Sequence, residues 1–271
     1  MAACISVAFP VVPIPSSSNP SLHRRRRFAG NVTAAMSQTK DASFGVKVVE
    51  GIGGLPKVCL STAYGSEAEI YLFGACLTSW KLENGKDLLF IRPDAVFNGK
   101  KPISGGIPHC FPQFGPGPMQ QVTLHSESFS TALSITNTDK KPFSFTTALH
   151  TYFSASISGV TVEGLKGCKA LNKDPDPANP IEGKEERDVV TFPGFVDCIY
   201  LGASNELQLE NGLGDTLTIR NTNWPDTVLW NPHTQMESCY RDFVCVENAQ
   251  VGRVQLKPDQ AWVAEQNISF T

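Results

Sequence analysis

Nowhere along the 271 residues does an apolar pattern hold the 3.6-residue period of a core-facing helix. Short runs rich in Val, Ile, Phe, Tyr and Thr recur instead, with turn residues between them, at 69–73, 88–91, 122–135, 143–153, 160–162, 207–209, 216–220, 227–230, 243–246 and 262–270. Asn84-Gly85 reads as a hairpin turn ahead of the second run. Such runs must pair side by side to satisfy their backbones, so the expected fold class is all-β. A large antiparallel β-sandwich, or a barrel-like pair of sheets, is the arrangement implied. The 41% hydrophobic content is enough for the core of one domain of that size. Residues 172–188 read as a charged, proline-broken surface loop. There is no fixed-period repeat, and Gly51-Ile52-Gly53-Gly54 has neither the spacing nor the following helix of a phosphate loop.

A net charge of -3 gives no electrostatic footprint for nucleic acid, and no apolar run approaches the roughly 18 residues of a membrane span. Eight cysteines are scattered without a C-x-x-C, which suits buried small hydrophobes better than a disulfide framework. No His/Cys/Asp grouping has metal-site spacing. The expectation is a monomer with neither metal nor organic cofactor.

The first 40 residues differ from the rest. No Asp or Glu precedes Asp41, Ser, Pro, Ala and Val abound, and Arg24 to Arg27 are contiguous. A secretory signal carries its positive charge before an apolar region; here the charge follows, and Pro10, Pro13 and Pro15 interrupt the apolar stretch. Residues 1–40 therefore read as an organelle transit peptide, plastid more than mitochondrial because no amphipathic Arg helix is evident. A basic tail that binds anions is the other reading. The folded domain is expected over residues 41–271, in the chloroplast stroma.

Candidate site residues come from polar groups set among apolar ones. In KKPFSFTTALHTYF, alternation puts Phe143, Phe145, Leu149 and Phe153 on one face, and Ser144, Thr146, Ala148, His150 and Tyr152 on the other. His150 is thereby carried out of the core. Glu247 follows four apolar residues, 243–246, and desolvation there would make its carboxylate a better base; a charge guarding an edge strand is the plainer reading. Asp197, in FPGFVDCIY, suits sugar hydroxyls or a turn cap equally. His109 and Gln113 lie in a loop stiffened by Gly105, Gly106, Pro108, Pro112 and Pro116. His125 reads as a solvated strand residue, and His233 as part of a turn.

Taken together, GGIPHCFPQFG, KPFSFTTALHTYF, FVDCIY, CVENA and LKPDQAW resemble the galactose-mutarotase-like superfamily. Within it they look most like the plant glucose-6-phosphate 1-epimerases, from about Val46 onward. The resemblance implies a large antiparallel β-sandwich and a hexose 6-phosphate substrate. It implies that His150 is the general acid at the ring oxygen, Glu247 the general base at the anomeric hydroxyl, and Asp197 a ligand of sugar hydroxyls, with no cofactor. Gln121 matches a substrate-binding glutamine of the family.

Two departures stand out. Where the family has an arginine before GGIP, this chain has Ser104. After Gln121 the family continues with a His-Gly-Phe-x-Arg segment and roughly forty residues of strands, whereas here Gln121 runs into VTLHSESF. Both arginines expected to hold a 6-phosphate are thus missing, and Lys100 and Lys101 have no motif support as replacements. A charged hydrogen bond contributes about 1.5–3 kcal/mol, so losing two would cost several orders of magnitude in affinity. The chain is therefore expected to lack some strands, to leave backbone edges unpaired at the Gln121–Val122 junction, and to show little or no epimerase activity. The alternative is a non-catalytic sugar-binding or assembly module. For the leader, residues 1–45 fused to a fluorescent reporter are expected to direct it into chloroplasts; a purely cytosolic or secreted signal would refute the targeting.

Overall fold

A computed structural model describes residues 45–111 and 127–270, together with the backbone of three strands, Ala3–Ala8, Asn31–Thr33 and Met119–Leu124. Among the described residues there is no α-helix; four short 3-10 turns interrupt an otherwise all-strand chain. Three antiparallel sheets form. The first has nine strands, in spatial order Val189–Val190, Val160–Glu163, Glu206–Asn211, Thr216–Thr222, Ala261–Phe270, Ser128–Thr136, Met119–Leu124, Ala3–Ala8 and Asn31–Thr33. The second runs Ile181–Lys184, Lys169–Asn172, Val196–Leu201, Asp226–Asn231, Phe243–Leu256, Phe143–Leu149 and His109–Cys110, with Tyr152–Ser154 also paired to Phe243–Leu256. The third is a meander of Gly45–Glu50, Pro56–Ser61, Glu67–Tyr71 and Cys76–Lys81.

One core joins all three sheets. Leu60 and Trp80 come from the meander, Phe129, Leu133 and Ile268 from the nine-stranded sheet, and Phe145, Leu149 and Val246 from the other. Their alternation is the reason: the strand Ser128–Thr136 is buried at every second residue, and so is Ala261–Phe270 over most of its length. Phe145 sits where the layers meet, its ring against Phe111, Phe143 and Trp262.

The Asn84-Gly85 turn forms as expected, with Leu82 N–H bonded to the Lys86 carbonyl at 2.9 Å and Gly85 at φ +81°. Three expectations are corrected. The run at 122–135 is not one strand but two, Met119–Leu124 and Ser128–Thr136, paired antiparallel. The run at 88–91 makes only isolated bridges, Leu89 to Phe153 and Ile91 to Gly105. Residues 172–188 are not simply a loop: Ile181–Lys184 is a strand, and Glu185 is a buried carboxylate. Arg187 Nε and Nη2 and the Tyr200 hydroxyl donate to that carboxylate at 2.8, 2.8 and 3.0 Å, and the guanidinium draws its pKa down to about 2.

Gln121 and Val122 lie in mid-strand, in continuous register with Ser128–Thr136 on one side. On the other side Ala3–Ala8, from the segment read as a transit peptide, pairs with the same strand; the edge at this junction is covered only while that segment is attached, and its removal would leave the edge open as expected. The cysteines behave as small hydrophobes: all those with described side chains are free thiols, and all but Cys59 are buried. No helix is long and apolar enough to cross a membrane.

Because Phe145 is 2% exposed and packs against three other rings, Phe145→Ala should destabilise the protein by about 3–5 kcal/mol. Denaturant unfolding should show this as a lower midpoint with an unchanged slope; a midpoint within error of wild type would contradict the packing described.

Candidate active site

Strand Phe243–Leu256 runs inside its sheet, between Asp226–Asn231 and Phe143–Leu149. Alternation splits its side chains: Val244 and Val246 enter the main core, while Cys245 and Glu247 face the other way. Glu247 is therefore not an edge-strand charge. It is 4% exposed, on the sheet face away from the main core.

His150 reaches the same place from the neighbouring strand. Phe143–Leu149 pairs with Phe243–Leu256 up to Leu149 opposite Asn248, and pairing resumes at Tyr152 opposite Cys245. Between these points the Thr151 N–H turns back onto the Leu149 carbonyl at 2.9 Å, and the His150 N–H is held by the Pro108 carbonyl at 3.0 Å. His150 Nδ1 then lies 3.2 Å from Glu247 Oε1. The two atoms are in contact but not well aligned, and Nδ1 has no other hydrogen-bond partner. The imidazole stacks on Tyr152, centroids 4.7 Å apart, and meets Trp230 edge-on at 5.7 Å.

A cavity of about 450 Å³ opens over this pair, lined also by Asp197, Lys173, Trp230 and Val228. Asp197 enters because Val196–Leu201 pairs with Asp226–Asn231, which sets it opposite Trp230. Its carboxylate accepts from Lys173 Nζ at 2.9 and 3.0 Å. Burial pushes His150 down to about 4, with Arg92 and Lys173 adding to the effect. Burial and the nearby Asp197 push Glu247 well above the usual carboxylate range, against a smaller opposing pull from Lys173. Both shifts have the same cause: a low-dielectric wall makes a net charge on either group costly.

Cys245 joins the pair in a cluster whose candidate ligand atoms lie within 4.8 Å of one another. Burial raises this thiol well above its ordinary value, in keeping with a sulfur packed among Tyr152, Cys239 and Phe243.

Of the residues singled out by sequence, the fold brings His150, Glu247 and Asp197 to one cavity. Ser104 is not among the residues lining it; its carbonyl accepts from the Arg92 N–H at 3.1 Å. Gln121 belongs by its backbone to the nine-stranded sheet, and its side chain, like Gln113 and His125, lies outside the described residues. His109 pairs by backbone with Leu149; its Nε2 is buried without a partner, and burial lowers the ring to about 4. His233 sits in a 3-10 turn against Tyr240, as expected.

The sequence alone does not mark Lys173 or Trp230, which also line the cavity. Lys173 stands in what looked like solvated loop, and only strand pairing reveals its partner. Trp230 could have been found by alternation, since Leu229 is the core residue of its strand.

Two stretches of the chain, 56–125 and 120–269, match the aldose 1-epimerase family. The match breaks where the sequence runs short after Gln121. A glucose-6-phosphate 1-epimerase candidate of Cenchrus ciliaris is 31% identical over 286 aligned positions, covering 80% of this chain and 85% of that one. Those positions outnumber the residues this chain contributes to them, so the relative carries some tens of residues with no counterpart here. The Escherichia coli protein of the same description is 24% identical, covering 70% of this chain and 81% of that one. Among solved structures, a mutarotase candidate from Salmonella typhimurium aligns with TM-score 0.67 at 21% identity, covering 83% and 97% of the two chains. A galactose mutarotase-like protein from Clostridium acetobutylicum aligns with TM-score 0.67 at 13% identity, covering 85% and 99%. The chain belongs to the aldose 1-epimerase family and has its galactose-mutarotase-like antiparallel β-sandwich.

Proposed function

We propose that this protein is a glucose-6-phosphate 1-epimerase, interconverting the α and β anomers of a hexose 6-phosphate through ring opening at His150 and Glu247. The observation that carries the reading is the 3.2 Å approach of Nδ1 to Oε1 inside a cavity that also holds Asp197. The descriptions of the Cenchrus and Escherichia relatives support the substrate class.

The pair works with a single proton. Burial disfavours a net charge on either group, so the pair shares one exchangeable proton with two places to sit. With the proton on His150, the imidazolium gives it to the ring oxygen while the Glu247 carboxylate takes the proton of the anomeric hydroxyl. The C1–O5 bond breaks, C1 becomes an aldehyde carbon, and the proton is now on Glu247. Rotation about C1–C2 presents the other carbonyl face. Closure then runs the same transfers backward and returns the proton to His150. Asp197, held by Lys173, is placed to accept from sugar hydroxyls. Each transfer needs one donor and one acceptor, which the two side chains provide. On the strength of the acid-free leader, we place this activity in the chloroplast stroma.

The break in the family match at 120–125 favours a second reading, a sugar-binding module without turnover. The two are separated by anomer exchange, measured by magnetisation-transfer NMR on this chain and on a form carrying the additional segment. In the form carrying the additional segment, His150→Ala and Glu247→Gln should each slow exchange by about 10²–10⁴ while sugar-phosphate binding changes far less; near-normal exchange in either variant removes that residue from the mechanism.

The pH dependence follows from the shifts. As pH falls, His150 takes up a proton only near its lowered value of about 4, after which the pair carries two protons and Glu247 can no longer accept. The rate at low substrate should therefore hold from neutral pH down to about pH 5 and fall through about pH 4. A limb near 6.5, the ordinary histidine value, would mean the imidazole is solvated in the working enzyme.

A further inference from the structure

The cleft of this chain lacks an arginine at Ser104, yet a guanidinium stands beside that position on the adjoining segment. Residues Phe90 to Arg92 are threaded between Tyr152 and the Gly105-Gly106 turn. The Phe90 N–H donates to the Tyr152 carbonyl at 3.0 Å, the Gly106 N–H to the Phe90 carbonyl at 2.8 Å, and the Arg92 N–H to the Ser104 carbonyl at 3.1 Å. The packing is close enough to need glycine. A Cβ on Gly105, which sits at φ +124°, would lie 2.5 Å from the Phe90 carbonyl oxygen and 3.0 Å from the Arg92 nitrogen. Arg92 is therefore held by its backbone, and its side chain is only 17% exposed.

The guanidinium reaches toward the site. It lies against the Tyr152 phenol, and the Tyr152 ring is the one stacked at 4.7 Å on His150. Phe90, two residues before, stacks at 5.1 Å on Phe243, which packs against Tyr152 and Trp230. Arg92 thus stands behind the acid–base pair, separated from His150 by the Tyr152 ring; neither Tyr152 nor Arg92 lines the cavity of about 450 Å³ itself, so a phosphate on Arg92 would sit just beyond its margin on the His150 side. Of its five N–H donors, Nε and Nη2 engage Asp94 at 2.9 and 2.6 Å. Asp94 is 65% exposed, so solvent screens one side of this two-point ion pair, and N–H groups remain beyond those facing Asp94 and the Tyr152 phenol. Lys173, a cation that lines the cavity, already has both Asp197 oxygens.

We infer that Arg92 is the residue that binds the 6-phosphate, in place of the arginine absent at Ser104. The inference rests on the reading of the His150–Glu247 cavity as the hexose site. If His150 acts at the ring oxygen, then C5, which is bonded to that oxygen, and its C6 substituent lie on the His150 side, away from Glu247 at C1. The next groups on that side are Tyr152 and Arg92. A fork of N–H donors that keeps its charge at every physiological pH suits a phosphate, and burial to this degree strengthens the charged hydrogen bonds. The anchor selects phosphorylated over plain hexose and takes no part in the proton transfers.

The test is calorimetric titration of the whole chain with glucose 6-phosphate and with glucose. Arg92→Ala should weaken glucose 6-phosphate by about 10- to 100-fold and leave glucose unchanged. Asp94→Asn, which breaks the same ion pair but keeps the guanidinium, should bind the phosphosugar at least as well as wild type. Equal affinity of Arg92→Ala and wild type for glucose 6-phosphate overturns the inference, as does failure of the wild type to bind it. Parallel loss of both sugars in Arg92→Ala, or an equal loss in Asp94→Asn, assigns the effect to loop structure and overturns it too. Anomer exchange, followed in the same samples, reports separately on the epimerase reading: phosphosugar binding through Arg92 without exchange would retire the epimerase and keep the anchor.

Discussion

The period-two alternation of a single interior strand, Phe243–Leu256, is the constraint on which both the core and the site depend. Val244 and Val246 seal the sandwich while Glu247 faces the cavity and Cys245 is buried on the same side of the strand, and the ladder on either side leaves no freedom to exchange them. A one-residue slip would bury a carboxylate in the main core and turn valines toward the cavity. The backbone pairing that stabilises the sheet is thus the same pairing that aims the base.

The neighbouring strand follows the opposite logic. Had Phe143–Leu149 continued in perfect register, His150 would be one more member of a pleat. The turn of Thr151 back onto Leu149, and the capture of the His150 N–H by Pro108, interrupt the ladder for two residues. This local departure lets the imidazole meet Glu247 at 3.2 Å while stacking on Tyr152. Regular strands provide rigidity and a break in one of them provides placement, a common division at sites built on sheets.

Electrostatically the site is a balance between desolvation and two cations. The walls press both partners of the pair toward neutrality. Lys173 lines the cavity, committed to Asp197, and Arg92 lies behind Tyr152, paired with an exposed Asp94. A phosphate at Arg92 would neutralise charge at the margin without entering the proton transfers. On the proposed reading, Arg92 would supply the charge that position 104 lacks from the adjoining segment.

Much of this was legible in the residues alone. The fold class followed from the lack of any helical period and the recurrence of short β-rich runs, because side-chain alternation is a local property of the chain. Alternation also placed His150 off the core face, and the motifs around Glu247 and Asp197 carried the family resemblance. The limits of local reading appear at 122–135, where two antiparallel strands looked like one run, and at 172–188, where a strand and a buried carboxylate looked like loop. Lys173 and Arg92 were invisible as site residues because their meaning lies in what they face: Asp197, 24 residues away in the chain, and Tyr152, on a strand brought beside Phe90 only by long-range pairing. Sequence determines which face of a strand a side chain occupies. Which strands lie side by side, and therefore which charges meet, is decided only when long-range pairing closes the sheets, since that pairing depends on the energy of the whole sandwich and not on any one segment.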